Sequence, residues 1–135
     1  MSIECISVIR EQLVVHQRKS LSTYKFQDDV LQFIFDNADQ GASIIEVGCY
    51  HGGFSAQLAH VAKKCGLTLD IVDIEKGYLD HAGDTLSKVG LRDVATLNLM
   101  PFSEFVRVKK DHAKPVLLFV DGDHRYKGVV ADIRA

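Results

Sequence analysis

The sequence predicts an α/β fold built on a parallel sheet, and two observations carry the prediction. From Ala42 onward, short apolar β-rich runs alternate strictly with stretches whose apolar residues recur at helical spacing. Helices of that length between successive strands make crossover connections, which join strands running the same way, right-handed by rule. The second observation is the run at residues 116–120, Val-Leu-Leu-Phe-Val. It is apolar throughout, as a strand covered on both faces of a doubly wound sheet has to be.

The elements follow in order. Ile6, Ile9 and Leu13 recur at helical spacing behind Ser2, a candidate cap. Phe26, Val30, Phe33 and Ile34 give a second helix its apolar stripe, with Gly41 as a stop signal and residues 17–23 as the connecting loop. Residues 43–48, Ser-Ile-Ile-Glu-Val-Gly, form the first strand. Leu58, Val61, Ala62 and Cys65 then line one helical face, with Lys63 and Lys64 in the last turn and Gly66 beyond. Cations near a helix C-terminus and a glycine just past it are the chemistry that ends helices. Residues 67–73 form the second strand, and Leu79, Ala82, Leu86 and Val89 a helix closed by Gly90. A third strand is expected at 94–99, a short helix at 102–110 and the fourth strand at 116–120. Tyr126, Val129, Val130 and Ile133 begin another helix. Residues 1–41 thus read as an N-terminal helical segment, and 42–135 as the sheet domain.

Composition narrows the function classes. The 135 residues hold 16 Lys and Arg against 18 Asp and Glu, a net charge of −2, so electrostatics offers no reason to expect nucleic acid or an anionic membrane. No apolar run approaches the ~20 residues that span a bilayer, and the N-terminus lacks a signal-peptide pattern. Cys5, Cys49 and Cys65 have no metal-ligand spacing and sit in apolar stretches, as reduced buried thiols do. A cytoplasmic location is the resulting expectation.

Between the first strand and its helix lies Glu46-Val-Gly48-Cys-Tyr50-His-Gly52-Gly53. A glycine-rich turn here lets a ligand approach the backbone at the carboxyl end of the sheet, where open α/β sheets bind small molecules. The same glycines also serve a merely tight strand-to-helix turn. The spacing is not the G-x-G-x-x-G of dinucleotide binders, because Tyr50 stands where the second glycine belongs, and Phe54 replaces the lysine of a phosphate loop. The loop suits a ligand without phosphates. Asp73 ends the second strand about 20 residues on, where a carboxylate can accept both hydroxyls of a ribose. Its neighbours Ile74 and Glu75 complete that corner, and an acid near a helix N-terminus has an electrostatic use as well.

These residues resemble motif I of class I methyltransferases, in the branch with a Glu-(Ile/Val)-Gly-x-x-x-Gly-x-Ser loop. Leu-Phe-Val-Asp121-Gly-Asp123-His124-Arg-Tyr126-Lys-Gly128-Val is similar to the same branch after its fourth strand and is the more diagnostic match. Small-molecule O-methyltransferases and the cephalosporin-hydroxylase-like group share these motifs, and the resemblance covers residues 42–135. It implies a Rossmann-like fold that binds S-adenosylmethionine. Glu46, Gly48, Gly52 and Gly53 would surround its methionine part, with Asp73 at the ribose. Tyr50, a ligand wall or a core residue, and Ile74 are further candidate cofactor-binding residues. One departure stands after the third strand. Met100-Pro101-Phe102-Ser103 lacks the polar residue that often faces adenine, so adenine is held by apolar packing or more weakly.

Asp121-Gly122-Asp123-His124 places two carboxylates and an imidazole at the end of a buried strand, where polar residues serve chemistry better than folding. The resemblance implies Asp121 as ligand of a divalent cation such as Mg²⁺ and His124 as a catalytic residue beside the hydroxyl of a small-molecule acceptor. Asp123 is a further candidate catalytic residue. Helix capping by Asp121 and a surface imidazole at His124 are the plainer roles. His51, His60, His81 and His112 suit surface or packing positions. Methyltransferase sheets usually have seven strands, and four are visible here. The expectation is an incomplete class I fold whose fourth strand, left at an edge, promotes homo-oligomerisation. A non-catalytic cofactor-binding or assembly module, and a nucleotide-sugar enzyme using Asp121-Gly-Asp123 as a D-x-D pair, are the alternatives.

Overall fold

The computed structural model describes residues 6–18, 23–39, 41–109 and 115–120. Helices α1 (Ile6–Val15) and α2 (Tyr24–Asn37) precede an alternating series. It runs β1 (Ser43–Val47), α3 (Gly53–Cys65), β2 (Thr68–Asp73), α4 (Lys76–Lys88), a 3₁₀ turn at Arg92–Val94, β3 (Ala95–Leu99), α5 (Phe102–Lys109) and β4 (Pro115–Val120). The four strands form one sheet in the order β3-β2-β1-β4, and every pairing is parallel. The α/β reading and the order of elements therefore hold, with Val94 in the turn rather than in the third strand. The expected helix around Tyr126 lies outside the described residues, as does Cys5.

Side chains alternate across a strand, and that alternation distributes the polar groups. Ile44, Leu69 and Ile71 pack with α1 to α4 in the main core. Ile45, Val47 and Val72 pack with Phe102, Phe105 and Met100 on the opposite face, under α5. Glu46 thus shares its face with Ile44, and Asp73 with Ile71. Both carboxylates are delivered to the α3–α4 side at the carboxyl ends of adjacent strands.

Helix ends follow their chemistry. Thr23 caps α2 by accepting the Phe26 N–H at 3.2 Å. Gly66 ends α3 in the left-handed conformation (φ +71°), behind Lys63 and Lys64. The stripe expected on α2 requires correction. Gln27, Leu31 and Ile34 are the buried residues, while Phe26 and Phe33 are each 46% exposed and Val30 is half-buried. Apart from Ile34, the inward face is rotated one residue from the expected one. A hydrogen bond holds it there: Gln57 Nε2 of α3 donates to Gln27 Oε1 at 2.9 Å. A buried amide paired in this way loses little by leaving water.

Candidate functional site

β1 runs into a loop that turns sharply before α3. Gly48 (φ +86°), Tyr50 (φ +48°) and Gly52 (φ +84°) all occupy the left-handed region. The Gly48 N–H donates to Val72 O at 2.8 Å, so the link to β2 continues past the end of the strand. Gly52 N–H then closes the turn on Cys49 O at 2.8 Å. Tyr50 adopts a backbone conformation that costs an ordinary L-residue about 1–2 kcal/mol.

The Tyr50 ring lies flat on His51, 3.8 Å between centroids and 11° between planes, and meets Tyr78 of α4 at 5.6 Å. His51 in turn faces His81 at 4.5 Å. His51, Glu75, Gly77, Tyr78 and His81 line a cleft of about 400 Å³ beside the loop. His51 and His81, expected at surface or packing positions, have ring partners and line this cleft.

Gly52 is required by its neighbour across the loop. A β-carbon there would stand 2.7 Å from Ala82 Cα and 3.2 Å from Thr85 Cβ. Thr85 Oγ1 donates to His51 O at 2.6 Å, fastening the same stretch of loop to α4. The open space beside this glycine is thus occupied by a helix. Gly53 opens α3, and its carbonyl accepts from Gln57 Nε2 at 3.3 Å.

Glu46 is 2% exposed, and its Oε1 accepts from Ser55 Oγ of α3 at 2.5 Å. Asp73 is 8% exposed and reaches across to the loop. Its Oδ2 accepts from the Cys49 N–H at 3.1 Å and from the Cys49 thiol at 3.5 Å, and its Oδ1 from the Glu75 N–H at 2.8 Å. Burial pushes the Cys49 thiol far above its ordinary range, and the negative charges of Glu46 and Asp73 push it further. Kept protonated, the thiol can donate a hydrogen bond and is a poor nucleophile. Ile74 is largely exposed on the turn that follows, and Glu75 stands at the N-cap of α4 without a side-chain cap bond.

The structure therefore brings Glu46, Gly48, Tyr50, Gly52, Gly53 and Asp73 together at one end of the sheet. Asp121, Asp123 and His124 lie outside the described residues. Among the described residues no group of three or more His, Cys, Asp and Glu side chains is placed to hold a metal ion. Reading the sequence missed Ser55, Cys49, Tyr78 and Thr85. For Thr85 a signal existed, since it lies on the buried side of a helix beside Ala82 and Leu86. A larger cavity, about 720 Å³, opens between α1 and α2 around Arg10, Tyr24 and Asp28, on the helical layer instead of at the strand ends.

No curated protein matches the chain. Among solved structures, it is similar to the O-methyltransferase TomG of Streptomyces achromogenes, involved in tomaymycin synthesis and solved with S-adenosylmethionine. That match has 19% identity and a TM-score of 0.62, and covers 88% of this chain and 53% of that one. An O-methyltransferase from Bacillus cereus, in complex with S-adenosylhomocysteine, matches at 16% identity and TM-score 0.61, covering 87% and 55%. Cofactor-bound Rv0187 from MTB matches at 17% identity and TM-score 0.69, covering 96% and 57%. The chain spans little more than half the length of these three structures. At such identities the likeness establishes the fold alone: this chain shares the α/β architecture of these three structures. The model of a methyltransferase domain family matches residues 45–135, from β1 to the end of the sequence given, and the chain belongs to that family.

Proposed function

We propose that this chain is the S-adenosylmethionine-binding part of a methyltransferase acting on an oxygen of a small molecule. The observation that carries the reading is the pairing of two buried carboxylates, Glu46 and Asp73, on either side of a loop with three left-handed residues. When bound, S-adenosylmethionine supplies a sulfonium methyl group that passes to a nucleophile held in line with it. Glu46 and the backbone of Gly48, Tyr50, Gly52 and Gly53 form the methionine end of the seat. Asp73 takes the ribose, with Ile74 alongside. His124, helped by Asp123, accepts the proton of the acceptor hydroxyl, and positioning supplies most of the acceleration. Mg²⁺ belongs to this reading through Asp121 alone, and none of the other roles depends on it. The O-methyltransferases TomG and the Bacillus cereus enzyme support the cofactor class and a small-molecule acceptor.

Calorimetric titration with S-adenosylmethionine, S-adenosylhomocysteine, NAD and UDP tests the proposal. The adenosyl compounds are expected to bind, and Asp73→Ala to weaken them at least about tenfold, the loss of hydrogen bonds to a charged acceptor. Binding of NAD or UDP in place of S-adenosylhomocysteine would overturn it. Homo-oligomerisation and a cytoplasmic location complete the reading; a mass that rises with concentration in light scattering checks the first, and subcellular fractionation the second.

A further inference from the structure

Asp73 is already occupied. An ionised carboxylate offers about four lone-pair sites. Three are taken, by the Cys49 N–H, the Cys49 thiol and the Glu75 N–H. A ribose brings two hydroxyl donors to a carboxylate with about one site remaining. One present donor has to yield. The two backbone N–H groups are fixed by the loop and by the start of α4. The thiol is the weakest donor of the three, at 3.5 Å, and turns on a single side-chain bond.

We infer that Cys49 is a placeholder for the ribose: its S–H satisfies Asp73 Oδ2 while the seat is empty and swings away when a diol arrives. The choice of sulfur follows. A buried carboxylate short of a donor is costly, so the empty site needs something there. A hydroxyl would bind the carboxylate more strongly and compete with the ligand. A thiol held protonated by its surroundings fills the position and releases it cheaply. Cys49 thereby sets affinity for the ribose diol without touching the methyl group. The inference rests on the proposed role of Asp73 and adds a competing donor to it.

Titration of the wild type, Cys49→Ser and Cys49→Ala with S-adenosylhomocysteine and 2′-deoxyadenosine tests it. Cys49→Ser is expected to bind S-adenosylhomocysteine about tenfold more weakly than wild type, the scale of one hydrogen bond to a charged group, and Cys49→Ala no more weakly than wild type. The deoxy ligand should separate the variants far less. A thiol that merely positions Asp73 gives the reverse order, with Ser rescuing what Ala loses, and that order overturns the inference. Raman difference spectra of wild type need no substitution. The S–H stretch should shift to higher frequency on binding as the thiol leaves the carboxylate, and an unmoved band would also overturn it. Wild type that ignores S-adenosylhomocysteine removes the reading beneath, and the placeholder with it. Binding with the wrong order of variants removes the placeholder alone.

Discussion

Replacing Gly52 by alanine separates a glycine kept for ligand approach from one kept for packing. At φ +84° the new residue pays the left-handed penalty of about 1–2 kcal/mol. Its methyl group would also lie 2.7 Å from Ala82 Cα and 3.1 Å from Ala82 Cβ. The nearer atom is helix backbone and cannot rotate aside, so the loop or α4 has to move, at roughly the 1–3 kcal/mol of an overpacked core. Against this stands a gain of about 0.4–1 kcal/mol from the stiffer unfolded chain. About 1–5 kcal/mol of destabilisation remains, about 3 at the centre of these ranges, equivalent to roughly a 10 °C drop in melting temperature for a domain of this size. Circular dichroism melts and urea titrations of both proteins measure it. Gly77→Ala is the control, because Gly77 lies in α4 with nothing within 4 Å of an added β-carbon and should be neutral or slightly stabilising. Ala82→Gly should not rescue the variant, since it leaves Ala82 Cα in place. A Gly52→Ala protein that melts with wild type would refute the packing argument and return the glycine to the ligand.

Two further outcomes are expected. Thr85→Val removes the donor to His51 O and should cost about 1–2 kcal/mol in urea unfolding, whereas Thr85→Ser should keep most of it. The raised Cys49 pKa gives a pH dependence of defined sign: the unfolded chain gives up its thiol proton above the ordinary value near 9 while the folded chain keeps it. Stability from this group is complete below pH 9 and falls as pH rises beyond it, and melting curves of Cys49→Ala between pH 8 and 10.5 should fall less steeply than those of wild type.

The parts of the molecule legible in the sequence are those fixed by periodicity and punctuation. Ile44, Leu69 and Ile71 alternate as strand residues must, and Gly66 and Gly90 stand where helices stop. The face of α2 was not legible, because aromatic residues dominate a hydropathy count and Gln27 gives no hint of a partner thirty residues away. The site divides in the same way. Glu46 and Asp73 announce themselves as acids at strand ends. That Ser55 and Cys49 would be their partners depends on how tightly the loop turns, and the turn depends on Ala82 and Thr85 of a helix that the chain has yet to reach.

Gln57 joins groups that the sequence keeps far apart. Its oxygen receives Arg10 Nε of α1 at 3.0 Å, and its amide nitrogen serves both Gln27 of α2 and the Gly53 carbonyl one turn back. Arg10 is itself steadied by Asp28 at 2.7 Å and the Tyr24 ring at 4.3 Å. A related protein that exchanged its leading helices for others would also inherit a different set of constraints on the turn at Gly53. Grafting experiments between family members should therefore carry the first forty residues along with the loop, since a loop moved alone arrives without its anchors.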